Sequence, residues 1–150
     1  MNNPAHVTVA TVIERDGRFL FVEERVEGRS VLNQPAGHWD DGETLLQAAL
    51  RETLEETAWE VKLEALVGIY EFRPAELDYG FLRFAFSAKP VRELRDRPLD
   101  KGIERAVWLT RDELVAAADR HRSPMVLRCV DDWRSGRRLP LETLAHLTPA

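Results

Sequence analysis

At 150 residues, with 44% apolar and 31% charged side chains, the chain reads as one soluble globular domain over 1–150, not as a disordered or fibrous protein. The 21 Lys and Arg against 26 Asp and Glu give a formal net charge of −5, which argues against nonspecific nucleic-acid or membrane-surface binding, since both need a basic field. Cys129 is the only cysteine, no basic-then-apolar leader opens the chain, and no apolar run approaches the ~20 residues of a bilayer span, so a cytoplasmic protein without disulfides or a membrane partner is expected.

The first predicted elements form a hairpin. His6 to Ile13 is rich in β-branched residues and Phe19 to Val22 is apolar, with Asp16-Gly17 between them as a turn signal. Val31 to Gln34 reads as a short strand stopped by Pro35, which has no N–H for a ladder. A loop, Ala36 to Gly42, leads into a helix from about Thr44 to Thr57, where Thr44 and Gln47 have the form of a capping box. Val61 to Phe72 and Phe81 to Ser87 read as longer strands around the turn-rich segment 73–80. Arg92 to Lys101, charged and holding Pro98, reads as a loop before a short strand, Ala106 to Leu109. Thr110 to Glu113 opens a helix with a second capping box, and a last helix runs from Ser123 to Trp133 with Pro124 at its first position. Strands outnumber helices and alternate irregularly with them, which predicts an α+β fold, an αβα sandwich on a mixed sheet.

The helix over 44–57 carries the chemistry. At 3.6 residues per turn Glu52, Glu55 and Glu56 share a wedge of about 100° on one face. Like charges so placed repel by roughly a few tenths of a kcal/mol per pair on an exposed helix. A hard divalent cation such as Mg²⁺ relieves that conflict; a solvated acidic face is the alternative. Arg51 is the only cation between 43 and 58. The wedge also carries Leu45, Ala48 and Ala49, which points to a face against backbone rather than water. Leu46, Leu50 and Leu54, with Thr53 and Thr57, form the opposite face and are expected to meet the core.

Gly37, Glu43 and the run Arg51-Glu52-Thr53-Leu54-Glu55-Glu56 stand at the spacings of the Nudix box, the signature of hydrolases that cleave nucleoside diphosphates linked to another moiety. The chain resembles that family. Three positions depart from the box: Thr53 stands where an aliphatic residue is usual, Ala58 where glycine is usual, and Trp59 where a small aliphatic is usual. Alanine in the left-handed conformation that closes many helices costs about 1 kcal/mol, so a different or strained helix end is expected at Ala58. His6 to Ala10, Phe21 to Glu24, Asn33 to His38, Phe81 to Phe84, Arg122 to Pro124 and Ser135 to Glu142 resemble the phosphatase NudJ branch, so the likeness covers nearly the whole chain.

The resemblance implies a Nudix-type αβα sandwich and a cytoplasmic enzyme using Mg²⁺, with Mn²⁺ as a substitute. It implies action on nucleoside tri- and diphosphates or thiamine-type pyrophosphates, with release of orthophosphate. On that resemblance Glu52, Glu55 and Glu56 hold the metal with the Gly37 carbonyl, and Glu104 adds an acidic ligand, with Asp100 its competitor. Glu52 and Glu55 serve catalysis, as does Arg51 by orienting a carboxylate, while Glu43 is structural at the helix entrance. Arg83, alternating with Leu82 and Phe84, is a candidate phosphate contact or an outward-facing cation. Trp39 and Phe72 are candidates for stacking on a base or pyrimidine ring, or for the core. Two alternatives remain: a nucleotide-sensing module without hydrolysis, and a pyrophosphohydrolase of another nucleoside diphosphate derivative. The intact Arg-Glu-x-x-Glu-Glu run counts against the first.

Overall fold

The computed structural model describes residues 3–149. In chain order they form β1 (His6–Arg15), β2 (Arg18–Val26), β3 (Arg29–Asn33), β4 (Ala36–His38), α1 (Leu45–Thr57), β5 (Trp59–Phe72), β6 (Phe81–Glu93), β7 (Ile103–Leu109), α2 (Arg111–Ala116) and α3 (Met125–Arg134). The main strand order is β3-β2-β1-β6-β5, with β4 added on β1 and β7 on β2. β1 and β6 run parallel from His6/Phe81 to Ile13/Ala88, and the remaining pairs are antiparallel. The sheet is therefore mixed, as the sequence predicts.

Local chemistry explains the joints. Asp16 (φ 52) and Gly17 (φ 79) are both left-handed, the geometry whose twist matches a two-residue hairpin. Glu27 (φ 49) and Gly28 (φ 78) repeat it between β2 and β3. β2 continues through the charged residues 23–25 to Val26, beyond the apolar run, because Glu23 finds Arg105 at 2.8 Å and Arg120 at 3.2 Å. The expected loop 36–42 instead begins as strand β4, whose Ala36, Gly37 and His38 pair with Ala10, Val9 and Thr8. β1 has this edge free because it pairs with β2 only at Glu14 and Arg15.

Side chains alternate along β1 and so feed two layers. Val9 meets Ala48 and Ala49 of α1, together with Leu66 and Phe86. Ala10 and Val12 turn the other way and meet Leu114, Met125, Val126 and Cys129. Helices thus cover both faces of the sheet. Of the face expected to meet the core, Thr53 and Thr57 are buried and Leu46 packs partly buried against the Val9 cluster, but Leu50 turns to the surface. Ala48, Ala49, Thr53, Glu56 and Thr57 are buried, whereas Leu50 is 39% exposed. α1 lies too close to the β1 and β4 backbones for leucines, and small side chains fill the gap.

The three departures from the box each have a local partner. Thr53 Oγ1 donates to the Ala49 carbonyl at 2.8 Å and lies 2.8 Å from Thr11 Oγ1, so Thr11 is the donor in that buried pair. Trp59 meets Trp108 edge to face at 5.8 Å, and the Arg15 guanidinium lies over both rings. Ala58 adopts φ 62, ψ 20 and its N–H donates to Leu54 O, so alanine closes the helix in the left-handed conformation. Two stability outcomes follow from urea denaturation. Ala58→Gly raises stability by up to about 1 kcal/mol, because the left-handed penalty outweighs the freedom glycine adds to the unfolded chain. Thr53→Val costs about 1–3 kcal/mol by orphaning the Thr11 hydroxyl, and adding Thr11→Val recovers most of that loss. Additive losses in the double variant would contradict the pairing.

Candidate active site

The site begins with how α1 is started. Thr44 Oγ1 accepts from the Gln47 N–H at 3.0 Å, and Gln47 Oε1 accepts from the Thr44 N–H at 2.9 Å. This reciprocal cap fixes the first turn, so the residues two turns on point in defined directions. Arg51 then ties the helix to the preceding loop. Its Nε and Nη2 donate to the two oxygens of Glu43 at 3.0 and 2.7 Å, and Nη2 also reaches the His38 carbonyl at 3.1 Å. Nη1 donates to Glu52 at 2.9 Å and Glu55 at 3.2 Å. Glu43 also accepts the Asp40 N–H at 2.9 Å, which closes the loop on itself. The Arg51 hydrogen bonds hold the Glu43 carboxyl below its ordinary pKa, and Glu43 in turn raises that of Arg51.

The carboxylates meet backbone, as their wedge position predicts. The Glu52 carboxylate lies over Gly37, where a Cβ would occupy the same space. Glu56 Oε1 accepts the Ala36 N–H at 2.9 Å. Glu52, Glu55 and Asp100 each offer an oxygen, and these lie within 4.8 Å of one another. Asp100 arrives there because its N–H donates to the Glu55 carbonyl at 3.0 Å, one of the carbonyls that the end of a helix leaves unsatisfied. Burial pushes the Glu56 carboxyl up to about 8, against the Ala36 hydrogen bond, and the charges of Glu52, Glu24 and Asp100 add to the rise. Burial also raises Glu52, with Arg51 opposing it. Three clustered hard oxygen donors, two of them on one helix, form a set suited to a hard divalent cation.

The remaining sequence candidates fall elsewhere. Glu104 lies on β7, not in a loop, and pairs with Arg25 at 3.2 Å; the acidic residue brought beside Glu52 and Glu55 is Asp100. Arg83 is 3% exposed, and its guanidinium ends on the amide oxygens of Gln34 and Asn33 at 2.9 and 3.0 Å. Phe72 packs against the apolar cluster under α3. Trp39 is 46% exposed, with its indole N–H donating to the Glu43 carbonyl at 2.6 Å. Glu24, which contributes to the field at Glu56, lies on β2, and the spacing of the box gives it no role.

Residues 3–129 match the NUDIX domain family. The chain belongs to the Nudix family. It is 36% identical to phosphatase NudJ of Escherichia coli K12 over 139 residues, covering 93% of this chain and 90% of that protein. The same figures hold for phosphatase NudJ of Shigella flexneri. A solved Nudix hydrolase from Nitrosomonas europaea superposes with a TM-score of 0.93 at 45% identity, over 95% of this chain and 97% of that one. In this Nudix chain the close approach of Gly37 and Glu52 generates a direct test. Gly37→Ala must push the Glu52 carboxylate aside, and roughly a 10–100-fold loss of divalent-cation affinity is expected by calorimetric titration. Unchanged affinity would show that the Glu52 position does not depend on Gly37.

Proposed function

We propose that this protein is a Mg²⁺-dependent hydrolase of phosphoanhydride bonds in nucleoside tri- and diphosphates or thiamine-type pyrophosphates, releasing orthophosphate. The observation that carries the reading is the grouping of Glu52, Glu55 and Asp100 on the capped helix of the Nudix box. Likeness to phosphatase NudJ over 93% of the chain supports the phosphatase branch. Glu52 and Glu55 would hold the metal together with Asp100, the Gly37 carbonyl would add a neutral oxygen ligand, and Glu56 would complete the acidic wall. When bound, Mg²⁺ supplies charge neutralisation for the diphosphate and a water of lowered pKa.

The chain's own residues do the rest. Arg51 holds Glu52 and Glu55 in position through Nη1, which takes one oxygen of each and keeps the two carboxylates together. A carboxylate of the cluster accepts the proton as water attacks phosphorus in line. The exposed Trp39 ring, fixed by its bond to Glu43, offers a surface for an aromatic ring of the substrate. On this reading residues 1–150 form one catalytic domain acting in the cytoplasm on small molecules. Among the described residues no helix is long and apolar enough to cross a membrane.

A panel of phosphate esters with Mg²⁺, resolving orthophosphate from pyrophosphate among the products, tests the reaction. Orthophosphate is expected, and pyrophosphate alone from nucleoside triphosphates would overturn the assignment. Glu55→Gln and Glu56→Gln are each expected to lower kcat by roughly 10²–10⁴-fold with an unchanged circular dichroism spectrum. Near-normal turnover by both at saturating Mg²⁺ would remove the acidic cluster from the mechanism.

A further inference from the structure

A phosphoanhydride substrate brings more anionic oxygens than a metal bound to the carboxylates can face, and those oxygens need positive charge from the protein. Arg51 is not free to supply it. Its guanidinium lies within 3.2 Å of Asp40, Glu43, Glu52 and Glu55. The wall formed by the end of β3 is different. There Arg83, buried to 3% exposure, is bonded to the neutral amides of Asn33 and Gln34 and leaves its Nε without a partner. A buried guanidinium that lacks a carboxylate raises the positive potential of everything packed around it.

Arg122 occupies the next position on that wall. Its backbone N–H donates to the Leu32 carbonyl at 2.8 Å, which fixes it beside the residue preceding Asn33. Among the described residues its guanidinium has one ion pair, to Glu24 at 3.9 Å, and 42% of the side chain is exposed. Arg122 is therefore a half-exposed cation with one long ion pair, held at the Leu32 end of a backbone run whose other end, Ala36 and Gly37, meets Glu56 and Glu52. The stretch 32–37 joins the two walls. Leu32 holds Arg122, Asn33 and Gln34 hold Arg83, Ala36 holds Glu56, and Gly37 underlies Glu52. The five steps from Leu32 to Gly37 span at most about 18 Å, so long side chains at the two ends can serve one substrate.

We propose that Arg122 is the substrate-binding cation of this site. Its guanidinium takes the non-bridging oxygens of the phosphate lying beyond the carboxylate cluster and gives up the long contact to Glu24. The planar fork of arginine suits two phosphate oxygens at once, which a lysine cannot match. Arg83 is a positioning residue behind it, holding Asn33 and Gln34 in place. The proposal rests on the phosphoanhydride reading and names the residue that reads the phosphate.

Steady-state hydrolysis of ADP with Mg²⁺ by Arg122→Gln and Arg122→Lys tests it. For the Gln variant KM is expected to rise about tenfold or more, while kcat and the half-saturating Mg²⁺ stay within about twofold. The Lys variant recovers part of the affinity, and the salt dependence of kcat/KM becomes shallower in the Gln variant than in the wild type. An unchanged KM, or a loss confined to kcat, overturns the proposal. Calorimetric binding of the methylene-bridged analogue of ADP gives a readout independent of turnover. If the wild type binds the analogue but hydrolyses no phosphoanhydride, the hydrolase reading fails, and weaker binding by the Gln variant still upholds Arg122. If the wild type hydrolyses ADP and the Gln variant binds the analogue as tightly, the Arg122 proposal fails alone.

Discussion

The Arg51 guanidinium, shared among Asp40, Glu43, Glu52 and Glu55, is the interaction on which the site depends. Without it, three glutamates on adjacent turns of one helix would repel each other into water. Its bidentate pairing with Glu43 also locks the loop of Gly37 to the helix of Glu52, so loop and helix act as one rigid unit. One guanidinium does not cancel all the negative charge it gathers. Burial raises the carboxyls of Glu52 and Glu56, and the charges of neighbouring carboxylates add to the rise. A bound cation would relieve that burden, which is the physical ground for the proposed metal site.

Close approach of α1 to the sheet is the second constraint. Ala48, Ala49 and Thr53 are small enough to let the helix reach β1 and β4, and Gly37 is small enough to admit the Glu52 carboxylate above it. That proximity leaves room for a polar contact in the layer, the hydroxyl pair of Thr11 and Thr53. At the other end of α1 the carbonyls of Glu55 and Ala58 accept from the N–H groups of Asp100 and Leu94. Satisfying a helix C-terminus and delivering an acidic side chain are therefore one event. The segment 94–100 caps the helix, and Asp100 arrives beside Glu55 as a consequence.

Much of this was legible from local rules. The capping boxes at Thr44 and Thr110, the Asp16-Gly17 turn and the acidic wedge depend on contacts within a few residues, and each is found in the structure. The face expected to meet the core held at Thr53, Thr57 and Leu46 and failed at Leu50, because periodicity reports which residues share a face and not how near the next layer lies. Leu50 is exposed because the sheet approaches the alanine side. β4 was hidden because its residues carry no strand pattern, and its pairing is dictated by the edge of β1 left open beyond β2.

The sequence by itself determined the composition of the active helix, its start, its arginine and its cluster of carboxylates, since all of these follow from spacing along one regular element. Tertiary structure alone decided that Asp100 and not Glu104 stands beside Glu52 and Glu55. It also decided that Arg83 is buried on two amides while Arg122 stays half-exposed beside Glu24. These outcomes turn on hydrogen bonds between backbone groups far apart in the chain, such as Asp100 to Glu55 and Arg122 to Leu32. Backbone N–H and C=O groups are the same at every position, so no pattern of side chains announces which of them will meet.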